Sequence, residues 1–180
     1  LIDRERYRDI FGFPVKSYYK TLGFDLATED WDAMAKECHR HYGELAAEAG
    51  LRSGTAEALA TIQDRGVRMS ILSACELTIL ERMLQEHGIR KYFDHVYGLD
   101  NLYATSKLEQ GRRLLEALAL PPEEILLVGD TNHDHEVAEH LGIRCVLLTG
   151  GHQSESRLTA SDLLETPSDL LPHLSLPDPA

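Results

Sequence analysis

The chain has 180 residues, 43% of them hydrophobic and 27% charged, which suits one domain, or one domain with a small appendage, built around a real core. Its net charge is −12 and no block of Lys and Arg interrupts the acidic background, so binding to nucleic acid by counterion release is not expected. Cys38, Cys75 and Cys145 form no CxxC pair, which gives neither a disulfide framework nor a zinc knuckle, and no apolar run reaches the ~18 residues of a membrane span.

The first fifty residues carry only helical patterns. Asp3 to Ile10 is a polar helical stretch, Phe11-Gly12-Phe13-Pro14 breaks it, and Pro14 is placed to open a second short helix. Trp31, Met34, Ala35, Cys38, Tyr42, Leu45 and Ala46 then recur at the spacing of one helix face, predicting an amphipathic helix of about five turns.

From Leu51 the pattern alternates. A helix over Thr55 to about Arg65 stops at Gly66, and Val67–Ser73 has the composition of a strand. Glu76–His87 is helical with Gly88 as its stop, and His95–Gly98 is a short strand. Ser106-Lys107-Leu108-Glu109 has capping-box spacing and opens a helix to about Leu118. Ile125–Val128 is an unbroken apolar run of the kind found in strands covered on both faces. A helix from about Asp134 to Leu141, a buried strand over Ile143–Leu148, a short helix and a loose proline-bearing tail complete the chain. Strand and helix in alternation predict an α/β fold with a doubly wound parallel sheet, whose chemistry gathers at the carboxyl ends of the strands.

Three groups of residues stand at such ends. In Val128-Gly129-Asp130-Thr131-Asn132-His133-Asp134, Asp130 follows a strand and Asp134 opens the next helix. Two carboxylates there can share Mg²⁺, a hard cation completed by water and phosphate oxygens; a turn cap and a helix cap are the plainer alternative. Ser73 closes a strand ahead of Ala74 and a helix start, where a hydroxyl and backbone N–H groups can cradle phosphate. Lys107 begins a helix, where a cation opposes the macrodipole unless an anion lies near. His133 and His135 are two apart and would diverge by about 200° on a regular helix, so they do not ligate one ion together. His152, after Gly150-Gly151 beyond the last strand, is a loop candidate for substrate contact.

Ser after one strand, Lys at a later helix start and Gly-Asp-x-x-x-Asp after the next long strand resemble, in order, the second, third and fourth motifs of the haloacid dehalogenase superfamily. The resemblance spans roughly residues 1–160, and Arg8-Asp9-Ile10-Phe11-Gly12-Phe13-Pro14 is similar to the helical cap of its phosphoglycolate phosphatase-like subgroup. It implies a Rossmann-like core at 51–174 with a helical cap at 1–50 and a loose tail at 175–180. It also implies a Mg²⁺-dependent phosphatase that passes through an aspartyl-phosphate. Ser73 would hydrogen-bond the transferring phosphoryl with Ala74 beside it, Lys107 would neutralise its charge, Asp130 would bind Mg²⁺ directly, and Asp134 would do so directly or through water.

The family's first motif, Asp-x-Asp after a strand, is not found before residue 50; Asp30 and Asp32 sit in a polar helix start. The resemblance therefore places the nucleophile on a segment upstream of Leu1. It also implies that the strands carrying Ser73 and Asp130 flank that segment and do not pair with each other. A catalytically inactive binding or regulatory domain is the alternative. The expected setting is the cytoplasm, as a monomer or homodimer acting on a small phosphorylated metabolite.

Overall fold

A computed structural model describes residues 2–160 and 162–174; the tail expected at 175–180 lies outside the described residues. Three helices come first, α1 (Arg4–Ile10), α2 (Val15–Thr21) and α3 (Trp31–Glu48), with no strand among them. Asp3 and Asp30 cap α1 and α3 by accepting from the Arg6 and Ala33 amides at 2.7 and 3.1 Å. The third helix forms where the apolar spacing placed it, but that face is only partly covered: Ala35 and Ala46 are buried, while Cys38, Tyr42 and Leu45 are exposed, Leu45 by 66%.

The remainder alternates: α4 (Thr55–Asp64), β1 (Ser70–Glu76), α5 (Leu77–Glu86), β2 (His95–Leu99), α6 (Leu108–Leu118), β3 (Leu126–Gly129), α7 (Asn132–Leu141), β4 (Arg144–Leu148) and β5 (Leu163–Leu164). β5 has no counterpart in the expected elements. Its two residues are too few to set a period, and it exists because Leu147 and Leu148 offer it a ladder. All observed pairings are parallel. Among the described residues β1 pairs with β2, while β3, β4 and β5 form a separate three-stranded ladder. No ladder joins β1 to β3, so the strands carrying Ser73 and Asp130 do not pair directly.

Several boundaries move for physical reasons. β1 starts at Ser70 rather than Val67 and runs on to Glu76, because its partner opens at His95 and pairs with Ser70. Pairing is regular through Leu72↔Tyr97, then jumps to Glu76↔Leu99, leaving Ser73, Ala74 and Cys75 in an irregular stretch. The box expected at Ser106 does not form. Lys107 is the cap residue of α6, and Ser106 Oγ accepts only the Leu108 amide at 3.2 Å. A box forms instead one element later, where the Thr131 amide and hydroxyl donate to Asp134 Oδ2 at 2.9 and 2.7 Å. α7 thereby begins at Asn132, two residues before the expected start.

The core lies between α7 and the β3–β5 ladder, where Val146 and Leu147 are fully buried and Val137 and Ala138 nearly so. β3 itself is less covered than its apolar run implies, with Val128 39% exposed. Truncating Leu147 to alanine removes a buried isobutyl group and leaves a cavity, so a loss of about 2–5 kcal/mol is expected in urea unfolding. A loss under about 1 kcal/mol would mean that this interior is not close-packed.

Candidate active site

The carboxyl ends of β1 and β3 are linked through one lysine. Lys107 Nζ donates to Leu72 O of β1 at 3.1 Å and to Asp134 Oδ1 of α7 at 2.5 Å. Lys107 is 7% exposed and Asp134 6%. Burial works against the charge of Asp134, but Lys107 and the Thr131 donors outweigh it and hold its carboxyl below the ordinary carboxylate range. The dipole conflict at the start of α6 is thus answered by a carboxylate on α7, twenty-seven residues away in sequence.

The second oxygen of Asp134 accepts more bonds than the first. Oδ2 accepts from the Asp130 amide at 3.1 Å and from both Thr131 donors. Gly129 makes that turn possible, since a Cβ there would fall 2.2 Å from Asp134 Cγ. This geometry makes Asp134 a holder of Lys107 and of the Asp130 turn. Among the described residues Oδ1 accepts only from Lys107, so one lone pair there stays open to a cation or to its water.

Asp130 is the freer carboxylate. Its Oδ2 accepts the His152 amide at 2.7 Å, and among the described residues nothing donates to Oδ1. The loop after β4 approaches closely enough that a Cβ on Gly151 would lie 2.1 Å from Asp130 Oδ2. No group of three or more His, Cys, Asp and Glu side chains converges as a metal cage among the described residues.

Ser73 and Ala74 lie in the irregular end of β1, next to Leu72, whose carbonyl Lys107 holds. Ser73 Oγ accepts the Cys75 amide at 3.1 Å, which leaves its own O–H free to donate. The amides at the start of α5 are not free as expected. Glu76 Oε1 and Oε2 accept from Thr78 and Ile79 at 2.9 and 3.0 Å, so a carboxylate of the chain already occupies that helix N-terminus. Burial raises the Cys75 thiol to about 11, with Glu76 adding to the effect, so Cys75 is not a thiolate nucleophile.

The histidines separate as the helical geometry requires. His133 stacks on Phe13 with ring centroids 4.6 Å apart, while His135 faces Glu139 at 4.0 Å. Burial and the Lys107 charge push the His133 imidazole below its ordinary pKa, which keeps it neutral at pH 7. His152 lies between core and helical segment: its amide meets Asp130 and its Nδ1 is 2.6 Å from the Tyr7 hydroxyl of α1.

Sequence reading missed the contacts that bring α1 to this loop. Gln153 Nε2 donates to Phe11 O at 2.9 Å, its Oε1 accepts the Asn132 amide at 2.7 Å, and Arg157 Nη1 donates to Phe11 O at 2.6 Å. These pairs are more than 140 residues apart, except that to Asn132, so no local period announces them. Thr131 and Asp134, by contrast, show a threonine followed three residues later by an acidic residue, which is a legible cap signal.

Known proteins share this architecture and more. The family model described as haloacid dehalogenase-like hydrolase matches residues 1–148. A phosphoglycolate phosphatase of Synechococcus elongatus is 31% identical over 176 residues, covering 94% of this chain and 80% of that protein. Among solved structures, a haloacid dehalogenase-like hydrolase of Streptococcus pneumoniae superposes with a TM-score of 0.78 at 21% identity, covering 96% of this chain and 82% of that one. CbbY of Rhodobacter sphaeroides in complex with phosphate does so with a TM-score of 0.72 at 23% identity, covering 93% and 80%. The strand-end aspartate, the buried lysine and a match across most of the length agree: this chain belongs to the haloacid dehalogenase-like hydrolase family.

Proposed function

We propose that this protein is a Mg²⁺-dependent phosphatase that hydrolyses a small phosphate monoester through an aspartyl-phosphate. The observation that carries the reading is the buried Lys107–Asp134 pair, which sets a cation against the end of β1 while Asp130 keeps one carboxylate oxygen open beside it. Phosphoryl transfer asks little covalent chemistry of a protein beyond its nucleophile and depends on positioning and charge neutralisation. The relative from Synechococcus elongatus, a phosphoglycolate phosphatase, supports this class of substrate and makes phosphoglycolate the first compound to try.

Lys107 has three N–H donors, of which Leu72 and Asp134 take two, so the third is available to a phosphoryl oxygen. Ser73 offers its O–H and Ala74 its backbone N–H from the irregular end of β1. The attacking aspartate is assigned by family likeness to an Asp-x-Asp segment ahead of β1, consistent with two strands that flank Lys107 without pairing. In the first step a carboxylate oxygen bonds to phosphorus as the ester P–O bond breaks, and the departing alkoxide takes a proton from the second aspartate of that segment, which recovers one from the attacking water in the next step. Water then cleaves the acyl phosphate, releasing inorganic phosphate and restoring the carboxylate.

The residues present fit Mg²⁺. That ion is commonly held by one or two carboxylates with water and substrate oxygens completing its shell, and Asp130 presents one open hard oxygen at a strand end. Asp130 would hold it directly, and Asp134, which also braces the Asp130 turn, would do so directly or through a water. When bound, the ion supplies positive charge to the phosphoryl oxygens.

The test is phosphate release by the purified protein from phosphoglycolate, sugar phosphates and nucleotides, with Mg²⁺ and with excess EDTA. Turnover that needs Mg²⁺ is expected for at least one small monoester. Tight phosphate-ester binding without release from any of them would instead favour a non-catalytic binding domain.

A further inference from the structure

We propose that Arg8 is a positioning residue for Asp130, acting through the peptide plane between Gly151 and His152. The inference rests on Asp130 being the metal-holding carboxylate. Its physical basis is a chain of three groups. Arg8 Nε donates to Gly151 O at 2.9 Å, and the N–H at the other end of that same planar unit, on His152, donates to Asp130 Oδ2 at 2.7 Å. Arg8 Nη2 also bonds the preceding carbonyl, Gly150 O. The guanidinium fork therefore grips two successive carbonyls and fixes the tilt of the plane that aims at Asp130.

Two further features point to the same device. A charged donor on a carbonyl polarises the peptide and strengthens its N–H as a donor, by roughly 10–30% per linked bond. The loop is also held in register on both sides of this plane. Gly150 adopts φ +76°, Gly151 has no room for a side chain against Asp130, and the Tyr7 hydroxyl meets His152 Nδ1. With Oδ2 tied to His152, Asp130 presents Oδ1 in one direction only.

A plainer role is that Arg8 merely docks α1 onto the core, as Arg157 does through Arg8 O and Phe11 O at 3.1 and 2.6 Å. The sign of the effect separates the two. Arg8 is a cation near a proposed cation site, so removing its charge would by electrostatics alone tighten Mg²⁺ binding. Positioning demands the reverse.

The experiment measures Mg²⁺ affinity by isothermal titration calorimetry without substrate, together with Tm, for Arg8→Gln, Arg8→Lys, Arg157→Gln and Asp130→Asn. Loss of a group that orients a metal ligand commonly weakens binding about 10–100-fold, so Arg8→Gln is expected to weaken Mg²⁺ at least tenfold. Arg8→Lys keeps the charge but not the fork and is expected to recover less than half of that loss on a logarithmic scale. Arg157→Gln should lower Tm while leaving Mg²⁺ affinity within twofold. Unchanged or tighter binding in Arg8→Gln overturns the proposal, as does equal weakening in Arg157→Gln. Should Asp130→Asn itself bind Mg²⁺ like the unaltered protein, the underlying metal assignment fails instead.

Discussion

Asp130→Asn is expected to lower Mg²⁺-dependent phosphate release by about 100-fold or more, since charge stabilisation by a catalytic metal is worth several kcal/mol and each factor of ten in rate is about 1.4 kcal/mol. The substitution is close to isosteric, and its geometry makes the loss specific. Asp130 Oδ2 accepts the His152 amide, so the amide oxygen of asparagine will take that place to keep the bond. Its NH₂ group then occupies the Oδ1 position, presenting donors where a hard cation needs a lone pair. The turn should survive, because the Asp130 backbone amide still reaches Asp134. Steady-state rates against Mg²⁺ concentration, with Tm as a control, decide the matter. Activity within threefold of the unaltered protein at limiting Mg²⁺ would remove Asp130 from the site.

The second large effect is at Lys107. Its charge faces the proposed phosphoryl position, and loss of one such stabilising donor commonly costs roughly 10²–10³-fold in turnover. Judged from sequence alone, Lys107→Met should disable turnover more than it destabilises the fold. The structure adds a substantial stability cost. Lys107 and Asp134 form a salt bridge whose side chains are each 8% exposed, and methionine would leave the carboxylate buried without its countercharge. Breaking a buried pair in this way typically costs about 3–5 kcal/mol, or roughly 10 °C in Tm for a chain of this size. The two losses are separable. In the double variant Lys107→Met with Asp134→Asn, the stranded charge is gone, so part of the Tm loss should return. Turnover should not return with it. A double variant that regains both would make Lys107 a folding residue with no part in phosphate chemistry.

Local signals carried far in this chain. Apolar periods located α3 and α5, Ser106 spacing placed α6 although its box does not form, and the alternation after Leu51 announced parallel strands, because such signals are imposed by backbone geometry within a few residues. Gly129-Asp130 after an apolar run, and a lysine placed against a helix dipole, mark two candidate site residues. The lysine's misfit was informative because an unfavourable local charge needs an answer from elsewhere.

What answered it was a tertiary matter. That Lys107 meets Asp134, the carboxylate that also braces the Asp130 turn, depends on how α6 and α7 come together. Glu76 closing the N-terminus of α5 was decided by where β1 ends, which its pairing with β2 sets. The Arg8 grip on Gly150 and Gly151 joins residues 142 and 143 positions apart. Periodicity and capping act over one or two turns, so the sequence by itself determined the longer helices and strands, their order and the aspartate at a strand end, while β5 exists only by pairing with β4. Only the packing of distant surfaces decided which carboxylate is open, which is locked to a lysine, and which arginine reaches the loop behind them, because those bonds form between groups that no local pattern relates.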